Sequence, residues 1–148
     1  MAKMIPAHGP APTNSYSAEL LLYSKLSECL DDSFIVIHSI PWLTAAVQEF
    51  GLTKAPTGEI DFLIIHGSLG FLAIEVKGGR IATQDGSFVV TSTGERIDPI
   101  GQVRNSIHGL SRWLYANNKQ ALRIGYAIAF PESVTTGKPL PPALYDAR

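Results

Sequence analysis

The chain is 148 residues long, with 45% hydrophobic and 17% charged residues, which suits one packed domain and excludes disorder over most of its length. Twelve basic residues against thirteen acidic ones give a formal charge of −1, so no global positive field draws the chain to a phosphate backbone or an anionic membrane. Its single cysteine, Cys29, excludes an intrachain disulfide and a Cys-rich zinc site, and with no apolar run of signal or membrane-spanning length the expectation is a soluble, cytoplasmic protein without a membrane partner.

Residues 1–14 carry Pro6, Gly9, Pro10 and Pro12 and read as a flexible N-terminal arm. Leu22, Leu26, Cys29 and Leu30 then recur at helical spacing behind Ser15 or Ser17 as N-cap, predicting a helix over Tyr16 to Leu30. Phe34 to Ser39 is a β-branched run stopped by Pro41, a buried strand. A long Pro- and Gly-containing connection over 40–58 has room for a short helix at Leu43 to Phe50. Two apolar runs, Glu59 to His66 and Phe71 to Lys77, flank Gly67-Ser-Leu-Gly70 as a hairpin.

Asp85-Gly86 between Ile81–Gln84 and Ser87–Val90 is a two-residue turn signature for a second, small hairpin. Asp98-Pro99 supplies an N-cap and a first-turn proline. Ile100, Val103, Ile107, Leu110 and Leu114 form the stripe of the helix that follows, to about Ala116. Arg123 to Phe130 is a last strand, and 131–148 is a Pro-rich C-terminal segment, a natural tail or the start of a longer protein. The expected architecture is α/β: an αβββαβ core with a central mixed sheet flanked by helices and a small β-hairpin insertion, the last strand returning parallel through its helix.

Charged residues on apolar strands direct attention to one place. Asp61 opens the first strand of the main hairpin, and Glu75 and Lys77 close the second, two apart and so on one side. If Asp61 stands opposite Glu75, then Ile65 stands opposite Phe71; a slip of one residue sends Asp61 to the wrong face. Facing carboxylates repel, and a divalent cation between them is the simplest compensation. Asp61, Glu75 and the backbone carbonyl of Val76 would hold Mg²⁺, with Mn²⁺ able to substitute. Lys77 would orient a water, move a proton or stabilise a phosphoryl transition state. The competing reading is a plain salt bridge between Lys77 and Asp61 or Glu75 at a sheet end.

The segments Gly58-Glu-Ile-Asp61-Phe-Leu-Ile-Ile and Gly70-Phe-Leu-Ala-Ile-Glu75-Val-Lys77-Gly-Gly resemble the nuclease-related domain of the PD-(D/E)XK, restriction-endonuclease-like superfamily. The resemblance runs from about Ser15 to Phe130, so the expected domain spans 15–130. It implies a Mg²⁺-dependent deoxyribonuclease with Asp61, Glu75 and Lys77 in the motif positions, working in DNA processing, repair or defence. Helicase-linked relatives are similar at Met1-Ala-Lys-Met-Ile-Pro and Ser17-Ala-Glu19, but no helicase motif follows here. This leaves a helicase partner, or an absent helicase domain, as an expectation.

Two further residues enter through the resemblance. Glu19 matches a first-helix glutamate aimed at the metal, and is equally an acid favoured by the helix dipole. Gln102, in Pro99-Ile-Gly-Gln102, matches a glutamine that can hold a phosphate or water, and is equally a solvated side chain off the apolar stripe. Glu59 reads as an outer ligand or a surface acid, and Lys54, Arg80, Arg104 and Arg112 as groove cations or solvated ones. The alternative to an enzyme is a non-catalytic DNA-binding or protein-docking module. Double-strand cleavage would require two sites, for which a C₂ homodimer is one solution.

Overall fold

The computed structural model describes residues 1–10, 17–39, 59–118, 122–134 and 137. The expected helix at 43–50 and Lys54 lie outside these residues. The elements are β1 (Lys3–Ile5), α1 (Ser17–Cys29), β2 (Phe34–His38), β3 (Phe62–His66), β4 (Gly70–Val76), β5 (Ile81–Gln84), β6 (Ser87–Val90), β7 (Arg96–Ile97), α2 (Pro99–Asn118) and β8 (Ile124–Ala129). The main sheet has the order β1-β2-β3-β4-β8, and a second sheet the order β5-β6-β7.

The three central strands form the expected antiparallel meander, with β8 parallel to β4. Side-chain alternation divides the sheet between two helices. Val36, Phe62, Ile64, Ile74 and Val76 pack with Leu22, Leu26 and Leu30 on the α1 side. Leu63, Ala73, Ile65 and Phe71 pack with Val103, Leu110, Ile107 and Leu114 of α2 on the other. The stripe read from the sequence is therefore the face that α2 buries. Burial of Val103 and Leu110, each 1% exposed, contributes on the order of 2 kcal/mol apiece.

The structure differs from expectation at its periphery. The presumed arm contains β1, which pairs parallel with β2 (Lys3 with Ile35, Ile5 with Ile37), tied in by a 2.9 Å bond from Ala2 N–H to the carbonyl of Leu30. Three residues before a proline show no periodicity, and what holds them is distant in sequence: Met4 packs against the α1-side core. Likewise β7 turns the small hairpin into a three-stranded sheet, pairing Phe88 with Ile97 and Val89 with Arg96. The hairpin turn is as its Asp-Gly signature requires, with φ of +50° at Asp85 and +73° at Gly86, the signs of a type I′ turn. The Phe88 ring meets Phe130 with centroids 5.1 Å apart, which anchors this sheet at the end of β8.

Candidate active site

The β3–β4 register is the one on which the sequence argument depended. Phe62 faces Ile74 and Ile65 faces Phe71, so one further step brings Asp61 level with Glu75. The chain bends at Asp61, and its backbone is fixed by Ser39, whose N–H donates to the Asp61 carbonyl at 2.8 Å. The Asp61 carboxylate accepts a bond from the Val76 N–H at 2.7 Å. Glu75 is buried, and its Oε1 lies 2.8 Å from Lys77 Nζ. The end of β4 is held in turn by the Lys77 N–H, which donates to the Ala129 carbonyl of β8 at 2.9 Å.

These surroundings leave an excess of negative charge. Asp61 is pushed up from 3.8 to about 7, first by burial and then by the charge of Glu75, with a smaller contribution from Glu19; the Val76 N–H and the Lys77 ammonium pull the other way. The donors that the register brings together here are carboxylate oxygens. Mg²⁺ typically takes one or two carboxylates and keeps waters for its other positions, so the chemistry of Asp61 and Glu75 fits such an ion. Among the described residues no three or more His, Cys, Asp or Glu side chains converge as a metal centre, so a cation here would rest on this pair.

Glu19 is placed differently. Its Oε2 lies 2.7 Å from His38 Nε2 rather than on the Asp61–Glu75 pair, yet its charge is felt at Asp61. His38 is buried at the end of β2, with its ring 4.9 Å from Phe62 and edge-on to Tyr23 at 6.4 Å. Its partnership was not read from the sequence, although parity places His38 on the same side as Val36 and therefore toward α1.

Gln102 is exposed and lines an open cleft of about 520 Å³ together with Lys77, Asn105, Arg96, Glu95 and Asp98. The local fold of this wall follows from the cap. Asp98 Oδ1 accepts the Gly101 N–H at 2.9 Å, and the Gln102 N–H donates to the Asp98 carbonyl at 3.2 Å. A Cβ at position 101 would collide with that capping carboxylate, which explains a glycine in the first helical turn. Ser106, buried beneath, donates to the Gln102 carbonyl at 3.0 Å. Arg96 and Asn105 were not anticipated as cleft residues: β7 is too short to announce itself, and Asn105 carries no motif on the predicted helix α2.

The remaining candidates are dispersed. Glu59 accepts a hydrogen bond from Ser39 Oγ. Arg104 lies 5.7 Å from the Tyr126 ring centroid, and Arg80 and Arg112 are exposed. The turn after β8 supplies a clamp that sequence reading missed. Glu132 accepts from Ser17 Oγ at 3.0 Å and from the Gly79 N–H, while Ser133 Oγ accepts the Ile81 N–H at 2.9 Å. These bonds join the start of α1 to the loop that follows Lys77.

No described helix is long and apolar enough to cross a membrane. A family model described as the nuclease-related domain matches residues 15–131. No curated protein and no solved structure matches the chain.

Proposed function

The chain belongs to the nuclease-related domain family, and from that premise we propose that it is a Mg²⁺- or Mn²⁺-dependent nuclease hydrolysing DNA phosphodiester bonds. The observation that carries this reading is the register that sets Asp61 level with buried Glu75, two residues from Lys77, at the sheet end where Asp61 is pushed up to about 7. A bound divalent cation would supply Lewis-acid charge at the scissile phosphate and lower the pKa of the attacking water.

The chain's own groups do the rest. Asp61 and Glu75 would hold the cation with the Val76 carbonyl, and the Val76 N–H keeps the Asp61 carboxylate oriented. Lys77 spans two environments: its ammonium is 2.8 Å from Glu75 and its side chain lines the cleft. There it can steer the nucleophile and offset charge growing on the phosphate. Gln102, which lines the same cleft, offers an amide to a phosphate oxygen or water. Glu19, fixed by His38, adds negative charge at the rim rather than a ligand in the structure as it stands. A helicase would supply opened strands to such a site, and a C₂ dimer would supply the second site that double-strand cleavage requires.

A second reading is favoured by one contact. The Lys77–Glu75 ion pair is also what a purely structural strand end would show, and with a formal charge of −1 it fits a non-catalytic DNA-binding or protein-docking module. Labelled single- and double-stranded DNA incubated with Mg²⁺, Mn²⁺ or EDTA separates the two. The nuclease reading expects metal-dependent cutting lost in Lys77→Ala and Asp61→Ala, and a rise in wild-type melting temperature with Mg²⁺ that Asp61→Ala lacks. Inertness of the wild type with every metal, and no thermal response to any of them, would overturn it.

A further inference from the structure

Strand β7 and the residue before it, Glu95 to Ile97, line the cleft with Lys77 and Gln102, but the proposed hydrolysis gives them no role. We propose that this cleft is the track for the nucleic-acid backbone, and that Arg96 on β7 grips a phosphate neighbouring the one addressed by Lys77. The inference rests on the nucleic-acid reading of the site but not on catalysis.

Four features support it. The cleft is open and polar, with two cations, Lys77 and Arg96, and two amides, Gln102 and Asn105. Among the described residues no aromatic ring lines it, so the chemistry they offer is that of phosphate and sugar oxygens. Gln102 and Asn105 are three residues apart on α2 and share a face, giving successive donors along the wall. Arg96 is held loosely: its guanidinium lies 3.6 Å from Asp85 and 3.4 Å from Ser87 Oγ, with the Arg96 and Asp85 side chains 60% and 74% exposed. An exposed pair at that distance is weak, whereas a phosphate offers the guanidinium two charge-assisted bonds. Thr91 N–H bonded to the Arg80 carbonyl at 2.9 Å and the Phe88–Phe130 contact fix the small sheet, so Arg96 is presented on an anchored support.

Two acids also face the cleft, and they yield a test of sign. Asp98 keeps its charge but is committed to the Gly101 N–H as the helix cap, so Glu95 is the acid that can be neutralised without breaking the cap. Binding of fluorescently labelled single- and double-stranded DNA in EDTA, over a series of salt concentrations, should weaken about five- to tenfold in Arg96→Ala and lose about 0.7–0.9 from the slope of log K against log salt, one phosphate contact's worth. Arg96→Lys should retain the slope, and Glu95→Gln should tighten binding about two- to threefold. Unchanged melting temperatures would establish that the exposed variants are folded. If the wild type binds and both Arg96→Ala and Glu95→Gln match it in affinity and slope, the strand runs elsewhere and the inference fails, whether or not the protein cuts. If the wild type binds nothing, the inference fails with it. If Arg96 and Glu95 move binding in opposite directions but no metal yields cleavage, the track stands and the nuclease reading does not.

Discussion

The two ends of the β3–β4 hairpin are built from the same two strands and behave in opposite ways. At the turn, His66 Nδ1 accepts the N–H groups of Ser68 and Leu69 at 3.2 and 3.1 Å, its ring lies 4.6 Å from Phe34, and Gly70 takes the positive φ of +96° that completes the reversal. The polar groups that meet there lie within three residues of one another. At the open end, Asp61 and Glu75 are brought level by the same register, Glu75 takes the nearby lysine, and Asp61 is left with a raised pKa. A sheet selected for stability alone would place apolar or oppositely charged partners in that pair. The contrast supports the proposed site, since local consistency fails there, as expected when a site is built at the expense of stability.

Removing Lys77 should break this contrast most severely. Lys77→Ala takes away the group that bridges Glu75 and the cleft, and single-turnover DNA cleavage should fall at least about 100-fold. A variant that cuts within a factor of about two of wild type would show that the open end is only a strand terminus.

The next effect concerns stability and carries a definite sign. Asp61 has a folded pKa near 7 against 3.8 unfolded, so the native state holds its proton more tightly. Its contribution is complete below about pH 3.8 and is lost as pH rises through 7. A shift of this size corresponds to at most about 4 kcal/mol, and partial exposure reduces it to about 2–3 kcal/mol. Asp61→Asn, which cannot ionise, should therefore gain about that much over wild type in urea unfolding between pH 4 and pH 8. Saturating Mg²⁺ at pH 8 should shrink the gap by stabilising only the wild type. A pH-independent gap would mean that Asp61 is not strained by its neighbours.

Much of this region was legible in the sequence because its determinants are local. Alternation put Glu75 and Lys77 on one side and reduced the pairing of Asp61 with Glu75 to a question of parity, the Asp85-Gly86 dipeptide marked a two-residue turn, and Asp98-Pro99 marked where α2 begins. What escaped notice depends on residues far apart. His38 meets Glu19 across 19 positions, and Gly79 meets Glu132 across 53. Strand β1 exists because Met4 finds the core beside α1 and its backbone finds β2, and two-residue β7 exists because β6 offers an edge. No pattern within three residues encodes such partners, which is why Arg96, the residue with most to add to the cleft, could be found only once the chain was folded.

The smallest effect tests the closed end by itself. His66→Ala removes the acceptor for two turn N–H groups, but Gly67, Ser68 and Leu69 are exposed, so water replaces much of what is lost. The net cost should be about 1 kcal/mol, that of one ordinary hydrogen bond, read as a small shift in the urea midpoint at constant slope. Cleavage per folded molecule should not change, because β3 is held along its whole length by β2 as well as β4, and that three-strand ladder fixes the parity at Asp61 without help from the turn. If His66→Ala instead abolished cutting while leaving the midpoint intact, the register at the open end would depend on the turn, and the two ends would be one device rather than two.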